Sequence, residues 1–214
     1  SGWQAIAYNN FTGYTHDNIV TVAAGDEIYF IVNKNSTNTS DTTYWNPNVD
    51  YMDTAKNTYN SSRDFSSKQG ENQWYYKQWN GSSYMDMSTW TSGDNRWNGQ
   101  TYCIIASDWQ HPDTYDSVRA WKAPKAGTVT ITGKARKGLS ANTSGDGVNI
   151  KILKNTTQVW PSSGWQAIAY NNTTGVNHSS TISVAQGDMI YFIVNRNGNN
   201  TNDQTDWEAT ILYN

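Results

Sequence analysis

The sequence predicts an all-β protein, an antiparallel β-sandwich. No stretch keeps a 3.6-residue apolar period over three turns, which argues against helices. Short runs in which apolar and polar residues alternate are separated by turns rich in Gly, Asn and Asp. Many short strands joined by such turns are typical of a β-sandwich.

The strands are clearest in the second half of the chain. In TVTITGKA, Val129 and Ile131 share one face and the threonines share the other. In GVNIKILK, residues 147–154, the apolar side chains again fall on one face. The run HSSTISVAQGDMIYFIVN, residues 178–195, predicts a strand, a turn at 186–188 and a second strand.

The chain contains an internal duplication. Residues 1–52 align without a gap with residues 163–214, and more than half of the positions are identical. Both copies begin SGWQAIAYNN, and no counterpart exists for the stretch between them. The sequence therefore predicts three parts: residues 1–52 as the C-terminal part of a preceding homologous β module, residues 53–62 as a polar linker, and residues 63–214 as a complete β-sandwich module.

Three arrangements of the first copy remain open. A 52-residue piece with about three strands cannot bury a core by itself. It can pack on the complete module, or complete a module in another chain, which would give self-association through the duplicated segment. It can also compete with residues 163–214 for the core made by the middle segment, as a circular permutation of the same fold.

Charge and hydropathy exclude two classes of partner. The formal net charge is -3 and no part of the chain is strongly basic, so nucleic acid is not an expected partner. The longest purely apolar run, IYFIV at Ile28–Val32, is too short to cross a membrane.

No catalytic constellation is visible. His16 and His178 occupy equivalent positions of the duplication, beside a strand, which favours a structural role. Of the three glutamates, Glu27 and Glu208 align with a non-acidic residue in the other copy, which leaves Glu71 as the one candidate acid. The sequence predicts a protein that is not an enzyme.

The aromatic composition instead indicates binding. The chain has 11 Trp and 14 Tyr against 4 Phe, and Trp and Tyr combine an apolar face with a polar group. Sugar rings stack on such faces while their hydroxyl groups meet amides, carboxylates and arginine. The middle segment is especially rich in these rings: Trp74, Tyr75, Tyr76, Trp79, Tyr84, Trp90, Trp97, Tyr102, Trp109, Tyr115 and Trp121.

In QGENQWYYKQW, strand alternation separates two faces. Trp74 and Tyr76 share one face, and Tyr75, Lys77 and Trp79 share the other. One of the two must belong to the core, and we assign the Trp74 and Tyr76 face to the ligand.

Two further stretches supply candidate contacts. In SVRAWKAP, Arg119 and Trp121 share a face, where Trp121 could stack on a sugar ring and the Arg119 guanidinium could donate two hydrogen bonds to its hydroxyl groups. Alternatively, Trp121 belongs to the core and Arg119 caps it. DWQHP, Asp108–Pro112, predicts a loop in which His111 is exposed to a ligand.

Taken together, these stretches resemble a type of carbohydrate-binding module found appended to secreted bacterial polysaccharide lyases and glycoside hydrolases. The resemblance rests on FSSKQGENQWYYKQW, RWNGQTY, DWQHP, SVRAWKAPKAGTVTITGKA, GDGVNIKILKN and GDMIYFIVN. It covers residues 63–214, and residues 1–52 as the tail of a preceding module. It implies a jelly-roll sandwich that is secreted, binds polysaccharide and does no chemistry.

The resemblance also implies a structural calcium ion, which such modules often hold. Asp146 and Asp203 are the candidate oxygen ligands. Asp206 is a weaker one, because its counterpart in the other copy is Tyr44, whereas Asp203 matches Asp41.

Two questions about function stay open at this point. An alternative function is a structural repeat unit of an extracellular surface or fibre-forming protein that assembles by exchange of the duplicated β segment. The ligand is also open: the net negative charge disfavours anionic polymers, yet a positive patch would allow an acidic polysaccharide such as xanthan. That patch would consist of Lys77, Arg119, Lys122 and Lys125.

Overall fold

The computed structural model describes residues 2–16, 18, 20–23, 25–37, 39, 41–49, 56–138 and 144–214. The chain divides into two compact units, Ser1–Met52 and Asp53–Asn214. The described residues of the first unit contain no helix and no strand, so the structure does not show the predicted partial β module there. Among all described residues, no helix has the length and apolar character needed to cross a lipid bilayer.

The described residues of the second unit form fifteen strands and one short 3-10 turn, Glu71–Gln73. The strands are β1 Thr58–Asn60, β2 Trp74–Trp79, β3 Tyr84–Asp86, β4 Thr89–Thr91, β5 Arg96–Asn98, β6 Ile104–Ala106, β7 Trp109–His111, β8 Asp116–Lys122, β9 Gly127–Lys137, β10 Val148–Lys154, β11 Thr157–Trp160, β12 Gln166–Ile168, β13 Val176–Val184, β14 Met189–Asn195 and β15 Thr205–Tyr213.

The strands form two antiparallel sheets. The eight-stranded sheet has the order β13-β9-β15-β7-β6-β5-β4, with β1 paired to β15. The seven-stranded sheet has the order β11-β10-β14-β8-β2-β3, with β12 paired to β10. The predicted all-β antiparallel sandwich is therefore confirmed for the second unit.

The core between the sheets is unusually aromatic. Trp74, Tyr76 and Trp121 from the seven-stranded sheet are buried together with Tyr59 and Trp207 from the other sheet. Alternation along each strand supplies the aliphatic remainder, as the sequence predicts for β9 and β10. Burial of these rings stabilises the module.

The predicted linker, residues 53–62, is wrong in its second half. Thr58–Asn60 forms β1, which pairs with β15, and Tyr59 is buried in the core. The ring centroids of Tyr59 and Trp121 are 5.2 Å apart, so one buried aromatic side chain fixes an otherwise polar stretch to the core. Residues 53–55 lie outside the described residues.

The buried His178 packs in a site made by Gly133. A Cβ at residue 133 would lie 2.5 Å from His178 Nε2, so only glycine leaves room for the ring on the neighbouring strand. The Nε2 atom accepts a hydrogen bond of 3.0 Å from Trp207 Nε1, which requires the neutral imidazole. Burial lowers the pKa of His178 to about 4. The structural role predicted for this histidine agrees with its position.

We expect His178 to make the sandwich less stable in acid. Because its folded pKa lies below the ordinary value near 6.5, its contribution is complete above that value and is lost as the pH falls towards 4. The free energy of unfolding of the parent, minus that of His178→Gln, should fall by about 3 kcal/mol between pH 7 and pH 4. Glutamine keeps an acceptor for Trp207 but does not titrate, and a difference that stays constant with pH in urea unfolding would contradict this account.

Candidate functional site

The five residues assigned to the ligand lie in the interior of the module. Trp74, Tyr76 and Trp121 are 0% exposed, Arg119 is 1% and His111 is 7%. A side chain without an exposed face cannot stack on a sugar ring, so the assignment of this face of β2 to the ligand is corrected: it is the core face. Of the two alternatives for SVRAWKAP, the structure shows the buried one.

Arg119 connects the two sheets rather than binding a ligand. It extends from β8 and donates hydrogen bonds to the carbonyl oxygens of Ala106 at 2.6 Å and Trp207 at 3.2 Å, both in the opposite sheet. Burial lowers its pKa to about 10, so the guanidinium stays charged at neutral pH. Because Arg119 is buried, it does not contribute to the positive surface patch predicted from the sequence.

His111 ends strand β7, so the loop predicted for DWQHP is also corrected. Its Nδ1–H donates to the Pro112 carbonyl at 2.7 Å, and its ring lies edge-on to Tyr102 at 5.0 Å. Burial lowers its pKa, which favours the neutral ring. The histidine stabilises a strand end and offers little surface to a ligand.

The outer face of the seven-stranded sheet carries the side chains that alternate with the buried ones. On β2 these are Tyr75, Lys77 and Trp79, and all three are partly exposed. The register places Ala120 opposite Tyr75 and Val118 opposite Lys77. Both small residues are 0% exposed, so the larger side chains of this face cover them.

Three aromatic side chains, here called the platform, meet on this outer face. Trp79 lies 4.5 Å from Tyr84 of β3, measured between ring centroids. Tyr84 is stacked on Tyr191 of β14, with 4.1 Å between the centroids and 3° between the planes. All three are partly exposed. Burial raises the pKa of Tyr84 to about 12, so its hydroxyl remains a hydrogen-bond donor at neutral pH.

Polar groups surround the platform. Asn195 of β14 donates to Asp116 of β8 at 2.6 Å, and burial raises the pKa of this carboxyl group. Lys77 pairs with Asp86 and lies 5.5 Å from the Tyr75 ring centroid. Lys151, from the same face, lies 3.9 Å from the ring centroid of Trp165. Carboxylate, amide and ammonium groups thus accompany the rings on one surface.

An open cleft of about 490 Å³ lies at the other end of β2. Tyr75 lines it together with Gln73, Lys122 and Gln186. Gly70 supports this tyrosine: its φ of 80° is in the left-handed region, and a Cβ there would lie 3.0 Å from the Tyr75 hydroxyl. Tyr75 and Trp79 are four residues apart on one strand, about 13 Å, so the cleft and the platform together form a long surface.

Both carboxylates expected to bind calcium already contact other groups of the protein, although the buried Asp203 Oδ2 accepts no hydrogen bond from the described residues. Asp146 accepts hydrogen bonds from the backbone N–H groups of Gly198 and Asn199. Asp203 is buried and lies 3.5 Å from the equally buried Lys137 ammonium, which supplies the positive charge at this point. Within the described residues, no three His, Cys, Asp or Glu side chains cluster so as to hold a metal ion. Calcium binding stays a prediction, and these two residues fit it poorly.

Sequence reasoning missed Tyr191, Asp116 and Asn195. The run IYFIVN reads as one apolar strand, and its alternation does not tell which of Tyr191 and Phe192 faces solvent. The signal that could have located them is the pairing of β14 with β8 and of β8 with β2, which a single sequence does not contain.

No protein-family model and no curated protein sequence matches the chain. Among solved structures, the chain is similar to a CBM51 carbohydrate-binding module from Clostridium perfringens GH95 in complex with methyl-galactose. The identity is 9%, over 55% of this chain and 78% of that one, with a TM-score of 0.35. It is also similar to a CBM35 from Paenibacillus barcinonensis. The identity is 13%, over 74% of this chain and 100% of that one, with a TM-score of 0.33.

Rabbit GITRL is similar to the same degree, with 16% identity over 44% of this chain and 70% of that one and a TM-score of 0.32. With values this low, the similarities do not separate sugar-binding modules from other proteins. The function of this chain must therefore be argued from its own surface.

Proposed function

We propose that the outer face of the seven-stranded sheet binds a polysaccharide and does not transform it. The observation that carries this proposal is the platform, in which Trp79, Tyr84 and Tyr191 are partly exposed rather than buried. Aromatic rings left at a surface beside hydrogen-bonding groups bind ligands that have both apolar patches and hydroxyl groups. Sugars have both.

The shape of the face supports a polymer rather than a single sugar. Tyr75, which lines the cleft, and Trp79 of the platform lie at opposite ends of β2, about 13 Å apart, and the partly exposed Lys77 lies between them. A chain of several sugar residues would contact both ends. The proposal includes the extracellular setting and the attachment to a polysaccharide-degrading enzyme that the resemblance implies.

The charges of the face leave room for acidic sugars. Lys122 lines the cleft, and Lys77 forms a salt bridge with Asp86. Arg119 is buried, and Lys125 donates a hydrogen bond to Asn57. An acidic polysaccharide would therefore meet a cation at the cleft and at Lys151 beside Trp165. Its binding should weaken with added salt, whereas binding of a neutral polysaccharide should not.

A glycan array of neutral and acidic polysaccharides tests the proposal directly. The parent should bind at least one polysaccharide class, and Trp79→Ala should lose most of that signal. Tyr102→Ala is the matched control, because Tyr102 is an exposed tyrosine that follows β5 of the other sheet. Equal binding by the parent and Trp79→Ala, with both proteins folded, would overturn the assignment of this face.

A further inference from the structure

Residues 1–52, here called the head segment, share a contact between a tryptophan and a histidine with residues 163–214, here called the tail segment. Trp45 Nε1 donates to His16 Nε2 at 2.9 Å, and the equivalent atoms of Trp207 and His178 are 3.0 Å apart. In both copies the two rings lie edge-on, at 5.7 and 5.8 Å. This contact between a tryptophan and a histidine is thus the same in the two segments.

A turn of the head segment repeats a turn of the tail segment in the same way. Asp26 Oδ2 accepts the backbone N–H of Ala23 at 2.8 Å, and Asp188 Oδ2 accepts that of Ala185 at 2.9 Å. This turn precedes the IYFIVN run in both copies. The segment that would form a strand equivalent to β14 is therefore preceded by the same hydrogen bond.

The two copies differ in what covers their apolar side chains. In the head segment, Ile28, Phe30 and Val32 are 44–56% exposed. Their counterparts in the tail segment, Ile190, Phe192 and Val194, are at most 1% exposed. They are buried because β8 and β10 flank their strand and the second sheet covers it. The head segment exposes the surface that the tail segment buries.

The tail segment ends where the rest of the module begins. Tyr213 N–H donates to the Asn57 carbonyl at 2.8 Å, and Leu212 is opposite Thr58 in the antiparallel pair of β15 and β1. The head segment ends at Met52, the counterpart of Asn214, and only residues 53–56 separate it from Asn57. A connection of this length suits a hairpin, so the head segment is attached at the position from which it could pair with β1.

We propose that the head segment is a second, interchangeable closing segment that can replace the tail segment on the framework of the same chain, residues 56–138 and 144–162. The framework then pairs with strands from its N-terminal side, which gives a circularly permuted form of the same sandwich. Tyr29 and Asn33 stand at the positions of Tyr191 and Asn195, so this head-closed form retains the candidate sugar-binding face.

One substitution in the head segment disfavours the head-closed form. Ala209 N–H donates to Ser61 Oγ at 2.9 Å, and the head segment has Pro47 at this position, without an N–H. Loss of one hydrogen bond lowers the population of the head-closed form by about fivefold to tenfold relative to the tail-closed form. The chain therefore rests with the tail segment in place.

Full-length variants test the exchange by disabling one closing segment at a time. Phe192→Asp places a carboxylate in the core and disables the tail segment, whereas Phe30→Asp disables only the exposed head segment. We expect Phe30→Asp to melt like the parent. We expect Phe192→Asp to keep a cooperative, monomeric fold with a lower melting temperature, and the double variant to lose cooperative melting. Added Pro47→Ala should raise the melting temperature of Phe192→Asp.

The matched control combines Phe192→Asp with Tyr29→Asp. Tyr29 is the counterpart of the outward-facing Tyr191, so this pair should remain folded where Phe192→Asp with Phe30→Asp does not. Calorimetry gives the melting behaviour and light scattering gives the mass. Loss of cooperative melting in Phe192→Asp alone, or its recovery only as a dimer, would overturn the proposal. Neither result depends on sugar binding, so the proposed function is tested separately.

Discussion

Replacing Arg119 by alanine is expected to lower the free energy of unfolding by about 4 kcal/mol. Two effects add. The substitution leaves a cavity between the sheets, and it removes the donors for the Ala106 and Trp207 carbonyl oxygens, which belong to the opposite sheet. Urea unfolding followed by tryptophan fluorescence measures the loss, because the core contains several indoles.

Two matched substitutions separate these effects. Arg119→Met fills most of the volume but leaves both carbonyl groups without their donors, so we expect a loss of about 2 kcal/mol. Arg119→Lys keeps a charge but lacks the planar guanidinium that reaches two acceptors. Its loss of unfolding free energy should lie between those of the other two variants. Equal stability of the parent and Arg119→Ala would contradict the bridging role. Loss of glycan affinity in a fully folded Arg119→Met variant would show instead that Arg119 takes part in ligand binding.

Tyr84→Ala is expected to weaken binding of a recognised polysaccharide by about tenfold or more, without a comparable loss of stability. Tyr84 is the middle ring of the platform, so its removal separates Trp79 from Tyr191. Aromatic residues at a binding surface commonly contribute this much when they are truncated. Because β3 is the edge strand of its sheet and Tyr84 is only partly buried, the fold should tolerate the change.

Tyr84→Phe is the matched control for this prediction. It keeps the ring and its stacking on Tyr191 and removes only the hydroxyl, so its affinity should stay within about threefold of the parent. Isothermal titration calorimetry with the polysaccharide identified on the array gives both values. Equal affinities of Tyr84→Ala and the parent would show that the platform does not carry binding.

Strand alternation predicted the two faces of β2 correctly but not which of them is buried. Trp74 and Trp79 are the same residue type on opposite sides of one strand, and nothing within the strand distinguishes them. The distinction is made by the second sheet, whose Trp207 and Tyr59 enclose the Trp74 side. For a protein that uses tryptophan both in its core and at its surface, aromatic content alone cannot locate a binding site.

The other corrections have the same cause. The stretch that contains β1 is polar and has no strand pattern, which predicts a linker, yet pairing with β15 and burial of Tyr59 hold it in the sandwich. Asp203 is a candidate calcium ligand because the resemblance to carbohydrate-binding modules implies a calcium ion, but Lys137, distant in sequence, lies beside it. Long-range pairing set these positions, and one sequence does not reveal it.

The central claim is that sugars bind to the outer face of β2 and not to its inner face. Nuclear magnetic resonance of the tryptophan indole N–H groups tests it in one titration, with each signal assigned by a Trp→Phe variant. Added polysaccharide should shift the indole signal of Trp79, on the platform, and leave those of the buried Trp74 and Trp121 unchanged. Shifts at Trp74 and Trp121 with none at Trp79 would contradict the account.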